Sequence, residues 1–505
     1  MLTQEKDFLV TSFCLGVFVA PCATMPVQAD THRLNIVYIL ADDMGYGDVS
    51  YYNSQSKIPT PALDSLAASG MVFTDAHSNS SVSTPTRYGI LTGRYAFRSP
   101  LKKSVLTGYS SPLIEPKRET VASFLQTQGY QTACIGKWHL GLNWVKKDSL
   151  KSLYTGSEWD LEDTSNVDYR AKISGGPDDC GFGYSYILPA SLDMSPYVYI
   201  ENGIITSPVT SYAEDYKEAG VRGAHYRHGD MADNFRHDEC LSHFTQKSVD
   251  YILQASQSDQ PYFLYCALTA PHSPWLLQPE FRGRSNAGVY GDFVCMVDDA
   301  VRRICDAVRK SGKSSQTLII FTTDNGAMWL PSDMDETGHR ANGTWSGMKS
   351  DLWEGGHRVP LIASCPEIVP AGSISDALVS STDLFATLAD MLYVPMPCGA
   401  AGDSFSYWNA LTGNSSVGME KELRESMIYH SDQGYFALRR GDWVLLDCKG
   451  SGGWSLSEDS VKNDEAVQLY NLRNDSVQQY NVVRQYPQKV KELKRELEDI
   501  KAKPW

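Results

Sequence analysis

The sequence predicts an α/β protein with a large central sheet flanked by helices, followed by a small C-terminal α+β domain with an antiparallel sheet. Three nearly continuous apolar runs, at residues 34–40, 263–268 and 317–322, are typical of strands buried in a parallel sheet. Each run is followed by polar or charged residues, and open α/β sheets carry their sites at the carboxyl ends of such strands. After residue 415 the pattern changes to short strands joined by tight turns, which predicts the antiparallel sheet.

The other elements are assigned from periodicity, in chain order. Pro61 occupies the first position of a predicted helix, where its missing N–H has no cost. Predicted helices cover residues 60–67, 119–125, 298–311, 382–392 and 489–501. Further predicted strands cover residues 71–74, 131–135, 435–439, 443–446 and 469–472. Residues 142–235 are less regular, and we interpret residues 181–202 as an insertion at the mouth of the site.

The N-terminal 29 residues are predicted to be a signal peptide cleaved after Ala29. An apolar run at residues 8–20 is too short to span a bilayer, and Pro21 and Pro26 follow it. No later segment has 18 consecutive apolar residues, so we expect an exported protein that is not an integral membrane protein. The predicted domains are therefore residues 1–29, 30–424 and 425–505.

The overall charge argues against a nucleic-acid partner. The 505 residues carry a net charge of −15, with an isoelectric point near 5.2. Such a chain lacks the broad basic surface that releases counterions from a nucleic acid. The nine cysteines after the leader show no CxxC and no zinc spacing, so buried free thiols are the default expectation, with one or two disulfide bridges left open.

The segment at residues 81–94 is predicted to be a reactive turn that leads into a helix. Pro85 suits the first helical position, Ser83 lies just before it, and Arg87 follows Ser83 by one turn. Gly93 is the predicted helix stop. A hydroxyl and a guanidinium at a helix N-terminus suit a tetrahedral oxyanion such as sulfate or phosphate.

This segment resembles the signature of the sulfatase family, Cys or Ser-x-Pro-Ser-Arg-x-x-x-Leu-Thr-Gly-Arg. The match departs only at Thr86, which keeps the hydroxyl of the usual serine. The resemblance implies an alkaline-phosphatase-like sandwich with a mixed central sheet. It also implies that Ser83 is oxidised to formylglycine by the serine-type radical enzyme that matures bacterial sulfatases. With the signal peptide, this points to the periplasm.

Three later segments resemble further sulfatase motifs. Lys137 and His139 lie in a Gly-Lys-Trp-His-Leu-Gly sequence after a predicted strand, and His272 lies in a Pro-His-x-Pro turn. Lys349 begins a stretch similar to Gly-x-Lys-x-x-x-x-Glu-Gly-Gly-x-Arg-Val-Pro. The resemblance implies that Arg87, Lys137, His272 and Lys349 neutralise the sulfate oxygens. It implies that His272 or Lys349 protonates the leaving alcohol and that His139 takes a proton from the formylglycine hydrate.

Carboxylates and an amide follow two of the predicted strands. Asp42 and Asp43 follow the first, and Asp324 and Asn325 follow the strand at residues 317–322. Because these are hard oxygen ligands, they favour Ca²⁺, or less well Mg²⁺, over zinc. The resemblance adds the side chain of residue 83 to this metal set, with Asp324 also helping the nucleophile.

The expected substrate is a sulfated glycan, with sulfated galactose or N-acetylgalactosamine attacked from the chain end. The sulfate position stays open between O4 and O6. Candidate substrate-binding residues are Asp193, Trp275 and His357. Two alternatives remain: a phosphatase or phosphodiesterase of the same superfamily that uses unmodified Ser83, and a non-catalytic glycan-binding protein.

Overall fold

The centre of the fold is a ten-stranded mixed sheet, seen in a computed structural model that describes residues 33–154, 156, 157, 159, 166–413 and 423–504. The strands are β1 (Asn35–Asp42), β2 (Met71–Phe73), β3 (Ala76–His77), β4 (Gln131–Lys137), β5 (Tyr184–Leu188), β6 (Ile200–Glu201), β7 (Ile204–Ile205), β8 (Ser211–Ala213), β9 (Tyr216–Lys217), β10 (His225–Tyr226), β11 (Gly229–Met231), β12 (Tyr262–Pro271), β13 (Thr317–Thr323), β14 (Leu361–Ser364), β15 (Ser373–Ser375), β16 (Val379–Ser380), β17 (Ser426–His430), β18 (Phe436–Arg440), β19 (Trp443–Leu446) and β20 (Gln468–Asn471). The helices are α1 (Pro61–Ala68), α2 (Ser83–Thr92), α3 (Val121–Thr127), α4 (Cys240–Ala255), α5 (Gly288–Lys310), α6 (Pro331–Thr337), α7 (Glu354–His357), α8 (Leu384–Met391), α9 (Trp408–Thr412) and α10 (Pro487–Ala502).

The strand order of the large sheet is β15-β2-β14-β13-β1-β12-β4-β5-β6-β7. The five central strands from β13 to β5 run parallel, and antiparallel pairs join β14 to β13 and β6 to β5. Val37 of β1 pairs with Leu264 of β12 on one side and Ile319 of β13 on the other. Every residue of these three strands is buried, which confirms the prediction from the three apolar runs.

Helices cover the sheet: α4 and α5 pack on each other and on β12, and α1 packs on α5. Helix α5 begins at Gly288, ten residues before the predicted start, so the predicted boundary was wrong. Its first turns bury Tyr290, Phe293 and Val294. The two glycines at positions 288 and 291 give this stretch a low helical propensity, which packing overrides. Helix α4 was not predicted at all.

The C-terminal part contains an antiparallel sheet, as predicted, but it has four strands in the order β17-β18-β19-β20, and β17 was not among the predicted strands. Helix α10 covers it by burying Leu493 and Leu497 against Leu438 and Leu445. The span Leu34–Trp505 is one compact unit. The boundary between residues 424 and 425 therefore stays a prediction.

The predicted signal peptide lies outside the described residues. Within the part of the chain that is described, no helix is long and apolar enough to cross a membrane. All nine cysteines after the leader are free thiols, as the sequence predicted.

Candidate active site

Four neighbouring parallel strands carry the candidate catalytic residues at their carboxyl ends. Strand β1 ends at Asp42, β4 ends at Lys137, β12 is followed by His272, and β13 is followed by Asp324. Since the carboxyl ends of parallel strands meet at one edge of the sheet, residues from distant parts of the sequence converge there. The structure thus brings together the side chains that the sequence placed after separate strands.

Ser83 is the first residue of α2 and is almost completely buried. Its Oγ donates to Asp42 Oδ1 at 3.3 Å and receives a hydrogen bond from Lys137 Nζ at 3.3 Å. The sequence predicted Pro85 as the first residue of the helix with Ser83 before it, whereas Pro85 is the third helical residue. The hydroxyl is therefore directed at Asp42 and Lys137 in place of the helix N–H groups. Gly93 does end the helix, with φ of +62°.

Three carboxylates and three cations balance one another in this buried site. Arg87 donates from Nε and Nη2 to Asp324 Oδ2 at 3.1 and 2.8 Å. Lys349 Nζ donates to Asp43 Oδ2 at 2.7 Å. The third pair joins Lys137 to Asp42. Arg87 therefore pairs with Asp324 and fixes the position of that carboxylate in the cluster.

The charges of this cluster set the pKa values of its members. Burial alone would raise the pKa of Asp42, but Lys137, His272 and Arg87 together lower it to about 2. Burial would lower the pKa of Lys349, but the carboxylates of Asp43 and Asp42 outweigh this effect and raise it. Asp42 and Lys349 are therefore charged at neutral pH.

The backbone at two of the site residues is left-handed, which few non-glycine residues adopt. Asp43 has φ of +64° and His139 has φ of +59°. The turn at Asp43 lets its backbone N–H donate to Asp324 Oδ1 at 3.1 Å. Such conformations persist where the surrounding contacts hold them, and they cluster at functional sites.

His139 presents an unprotonated nitrogen inside the site. Its Nε2 lies 2.7 Å from the carbonyl oxygen of Leu106, which only accepts hydrogen bonds, so Nε2 carries the proton. Its Nδ1 is buried and has no hydrogen-bond partner among the described residues. Burial, followed by the charges of Lys137 and Arg87, lowers the pKa of His139 well below its usual value. The ring is thus a neutral base.

His272 lies between the carboxylates and a serine that the sequence analysis did not single out. His272 Nε2 is 3.7 Å from Asp43 Oδ2, and both ring nitrogens are 3.3 Å from Ser191 Oγ. Ser191 Oγ also accepts a hydrogen bond from Lys137 Nζ at 3.1 Å. Ser191 lies in the predicted insertion, two residues from Asp193, but nothing in its sequence context marks it.

The donor set at the base of the site fits a hard divalent cation. Asp42, Asp43 and Asp324 each offer an oxygen within 4.8 Å of the others. Asn325 Nδ2 donates to Asp43 Oδ1 at 2.7 Å, and Asn325 Oδ1 is buried without a hydrogen-bond partner in the described chain. An unpartnered buried amide oxygen beside three carboxylates suits oxygen-ligated calcium or magnesium.

A cavity of about 380 Å³ opens above Ser83. Asp193 lies in its wall and receives a hydrogen bond from Arg227 on Oδ2, while its Oδ1 is buried without a partner among the described residues. Trp275 also lines the cavity. Arg222 covers one face of its ring at 4.8 Å, and the ring of Tyr290 lies 5.3 Å away.

The structure does not bring His357 to this cavity. Its ring is completely buried, with Nδ1 3.0 Å from His77 Nδ1 and Nε2 3.0 Å from the carbonyl oxygen of Leu352. The short helix α7 turns the ring inward, against the ring of Tyr429. The position of His357 in a motif next to the site did not reveal this orientation.

Several cavity residues were not predicted to be functional. His225 is one of them: it is exposed and lies at the rim of the cavity. Other cavity residues outside the prediction are Ser191, Arg222, Arg227, Asp432 and Trp454. Arg222 and Arg227 lie in a basic stretch of the irregular region, and this stretch was the one feature of the sequence that could have indicated a role in binding an anionic substrate. Trp454 and Asp432 come from the C-terminal part, and nothing local in the sequence places them near Ser83.

Known proteins with similar sequences are sulfatases. The family model described as Sulfatase matches residues 34–394. The N-acetylgalactosamine-6-O-sulfatase of Bacteroides thetaiotaomicron is 29% identical over 97% of this chain and 98% of the relative. Human arylsulfatase A is 30% identical over 89% of this chain and 83% of its own length.

Solved structures agree with the sequence relatives. A structure from work on the metabolism of glycosaminoglycans by Bacteroides thetaiotaomicron has a TM-score of 0.80 and 27% identity, over 94% of this chain and all of that chain. A sulfatase from Pseudoalteromonas sp. shares the fold, with a TM-score of 0.67 and 21% identity over 93% and 90% of the two chains. The predicted fold class is thereby confirmed.

Proposed function

The chain belongs to the sulfatase family and is a sulfuric ester hydrolase, and from that premise we propose that it removes a 6-O-sulfate from galactose or N-acetylgalactosamine at the end of a sulfated glycan. The main support for this reaction is the position of the Ser83 hydroxyl, which is hydrogen-bonded to Asp42 and Lys137 beneath the cavity. The choice of O6 over O4 is supported by the relatives in Bacteroides thetaiotaomicron and in mouse, the latter an N-acetylgalactosamine-6-sulfatase at 30% identity. The phosphatase and binding-protein alternatives are not favoured.

The nucleophile is proposed to arise from Ser83 by oxidation to formylglycine, through a serine-type maturing radical enzyme. The hydrated aldehyde supplies a geminal hydroxyl that attacks sulfur. Asp42 and Lys137 hold the side chain of residue 83 in place by hydrogen bonds, since both already contact Ser83 Oγ.

A divalent cation, Ca²⁺ in preference to Mg²⁺, is proposed to be held by Asp42, Asp43, Asp324, Asn325 and the side chain of residue 83. It would supply positive charge beside a sulfate oxygen. Calcium accepts oxygen ligands in flexible geometry, whereas magnesium demands near-ideal octahedral geometry.

The cationic side chains are proposed to divide between two tasks. Lys137, His272 and Lys349 bind the sulfate oxygens and stabilise the charge that grows in the transition state. Arg87 keeps its contact with Asp324 and so fixes the orientation of that carboxylate. This differs from the sequence-based expectation that Arg87 contacts sulfate directly.

Proton transfers are proposed to use His139 and the pair His272 and Lys349. His139 accepts at Nδ1 the proton of the second geminal hydroxyl, which breaks the bond between residue 83 and sulfate, releases sulfate and restores the aldehyde. This nitrogen is suited to the role because it is unprotonated and has no partner among the described residues. His272 or Lys349 donates a proton to the leaving alcohol, which is otherwise a poor leaving group.

Asp193 and Trp275 are proposed to recognise the sugar. The free Oδ1 of Asp193 accepts a hydrogen bond from a sugar hydroxyl, and the ring of Trp275 offers an apolar surface. His357 is left out of this set because its ring is buried away from the cavity. We also propose export to the periplasm through the leader at residues 1–29.

Mass spectrometry of the tryptic peptide at residues 58–87, from protein made in an anaerobic host with the maturing enzyme, tests the nucleophile. We expect the loss of two hydrogens at Ser83. Release of sulfate from 6-sulfated and 4-sulfated N-acetylgalactosamine tests the substrate. An unmodified Ser83 in active enzyme contradicts the nucleophile, and a preference for the 4-sulfate contradicts the substrate.

A further inference from the structure

A second cluster of metal-ligating side chains lies outside the active site. His77 ends β3, and Glu354 and His357 belong to α7. One ligand atom from each of the three residues lies within 4.8 Å of the other two, and all three are completely or almost completely buried. The sulfatase reaction proposed above uses none of them.

Hydrogen bonds fix the protons on the outer nitrogens of both rings. His77 Nε2 lies 2.8 Å from Asp75 Oδ1, and His357 Nε2 lies 3.0 Å from the carbonyl oxygen of Leu352. Carboxylate and carbonyl oxygens only accept, so each Nε2 carries the proton. Arg439 Nη1 also approaches His77 Nε2, but it donates to the same Asp75 oxygen at 2.7 Å.

The two inner nitrogens are then left facing each other. His77 Nδ1 and His357 Nδ1 are 3.0 Å apart, and each presents a lone pair. The Oε1 atom of Glu354 is buried without a hydrogen-bond partner among the described residues, while its Oε2 accepts from Arg358 Nε at 2.7 Å. Three buried acceptors therefore converge with no donor between them, which is costly unless a cation lies there.

We propose that His77 Nδ1, His357 Nδ1 and Glu354 Oε1 bind a structural zinc ion. Two nitrogens bound to one tetrahedral zinc lie about 3.3 Å apart, close to the separation seen here. Zinc-binding histidines usually donate their other N–H to a carboxylate or a backbone carbonyl. Here Asp75 supplies the carboxylate that accepts from His77 Nε2, and Leu352 supplies the backbone carbonyl that accepts from His357 Nε2.

The chemistry of the cluster separates it from the active-site cation. Two imidazoles and one carboxylate favour zinc over calcium or magnesium, which prefer oxygen ligands. The hydrogen bonds of the two Nε2 atoms leave both rings with an Nδ1 lone pair that faces the other ring, which is the form that binds a metal ion. The negative charges of Asp75 and Glu354 are neutralised by ion pairs with Arg358 and Arg439. The two imidazole nitrogens would therefore supply most of the affinity for zinc.

The ion would fix the segment that leads to Ser83. Ser78 N donates to the carbonyl oxygen of His357 at 2.8 Å, and Ser81 N donates to the carbonyl oxygen of His430. The zinc would thus tie the start of this segment to α7, beside the C-terminal sheet. Its role is to stabilise the fold around the active site.

Elemental analysis by mass spectrometry tests the proposal on the full-length protein, purified without chelators from zinc-supplemented culture. We expect about one zinc per chain, and less than a tenth of that in His77→Gln and His357→Gln. Asn325→Ala serves as the matched control, since it alters the calcium site and should keep its zinc. Cobalt loaded in place of zinc should give visible d–d absorption in the wild type and lose it in the histidine variants.

Wild-type protein that is folded but takes up neither zinc nor cobalt overturns the proposal, and the two rings then share a proton. Stoichiometric zinc in both histidine variants overturns it as well. If a variant does not fold, the metal content of the wild type and the rise of its Tm on adding zinc decide the question. None of these readouts depends on sulfatase activity, so the outcome is independent of the proposed function.

Discussion

Lys137 Nζ lies 2.8 Å from each carboxylate oxygen of Asp42, and both side chains are completely buried. A buried ion pair adds little net stability, because the desolvation of two charges offsets their attraction. Removing one partner, however, leaves a charge buried without compensation. The pair is therefore better explained by the site that it builds, since both members contact Ser83.

The substitution Lys137→Met tests this interpretation. It should lower kcat by about 10²–10³-fold, because one group that stabilises the transition-state charge is lost. It should also lower the free energy of unfolding in urea by about 3 kcal/mol, since Asp42 loses its nearest cation and keeps the ion pair with Arg87 Nη2 at 3.3 Å. The double variant Lys137→Met with Asp42→Asn should regain part of the stability but none of the activity. Strictly additive losses of stability would show that the pair is not coupled.

Asn325 provides a test of the metal site. Asn325→Ala removes the unpartnered amide oxygen, so activity after treatment with a chelator should need at least about ten times more calcium for recovery. Asn325→Asp keeps an oxygen at this position but replaces the N–H that donates to Asp43 Oδ1 by an acceptor, so it should need less calcium than Asn325→Ala and more than the wild type. Calcium titrations of kcat distinguish the two variants. Equal calcium dependence of wild type and Asn325→Ala would exclude Asn325 from the metal ligands.

The sequence predicted the parts of the site that follow from strand ends. Asp42, Lys137 and Asp324 come together because the carboxyl ends of parallel strands share one edge of the sheet. Trp454 and Arg227 were missed because long loops bring them to the cavity, and no local pattern encodes where such loops fold. His357 shows the converse, since its neighbours in sequence lie at the site while α7 directs its ring into the interior.

Asp193 should separate sugar recognition from chemistry. Because its free Oδ1 lies in the cavity wall, Asp193→Ala should lower kcat/KM for a 6-sulfated sugar by about 10–100-fold, equivalent to about 1–3 kcal/mol of hydrogen bonding. A small aryl sulfate, which has no sugar hydroxyl to recognise, should be hydrolysed with kcat/KM within about threefold of wild type. Equal losses on both substrates would place Asp193 in support of the catalytic groups and not in recognition.

The pH dependence of stability should reveal His237. Its ring stacks on that of Tyr226 with centroids 3.8 Å apart, and burial lowers its pKa to about 3, with Asp193 partly opposing this. The unfolded chain protonates this histidine near pH 6.5, whereas the folded chain does not. Lowering the pH below 6.5 therefore favours the unfolded state, by about 1.4 kcal/mol per pH unit for this one residue.

His237→Phe keeps an aromatic ring in the stack and removes the titrating group. Urea unfolding between pH 6 and pH 4 should show the variant losing stability more slowly than the wild type, by about 1.4 kcal/mol per pH unit. Tyr226→Phe alters the same stack without changing any group that titrates in this range, so its slope should match that of the wild type. Parallel curves for His237→Phe and the wild type would mean that His237 carries a proton in the folded protein. In that case the burial of His237 would not contribute to the loss of unfolding free energy at low pH.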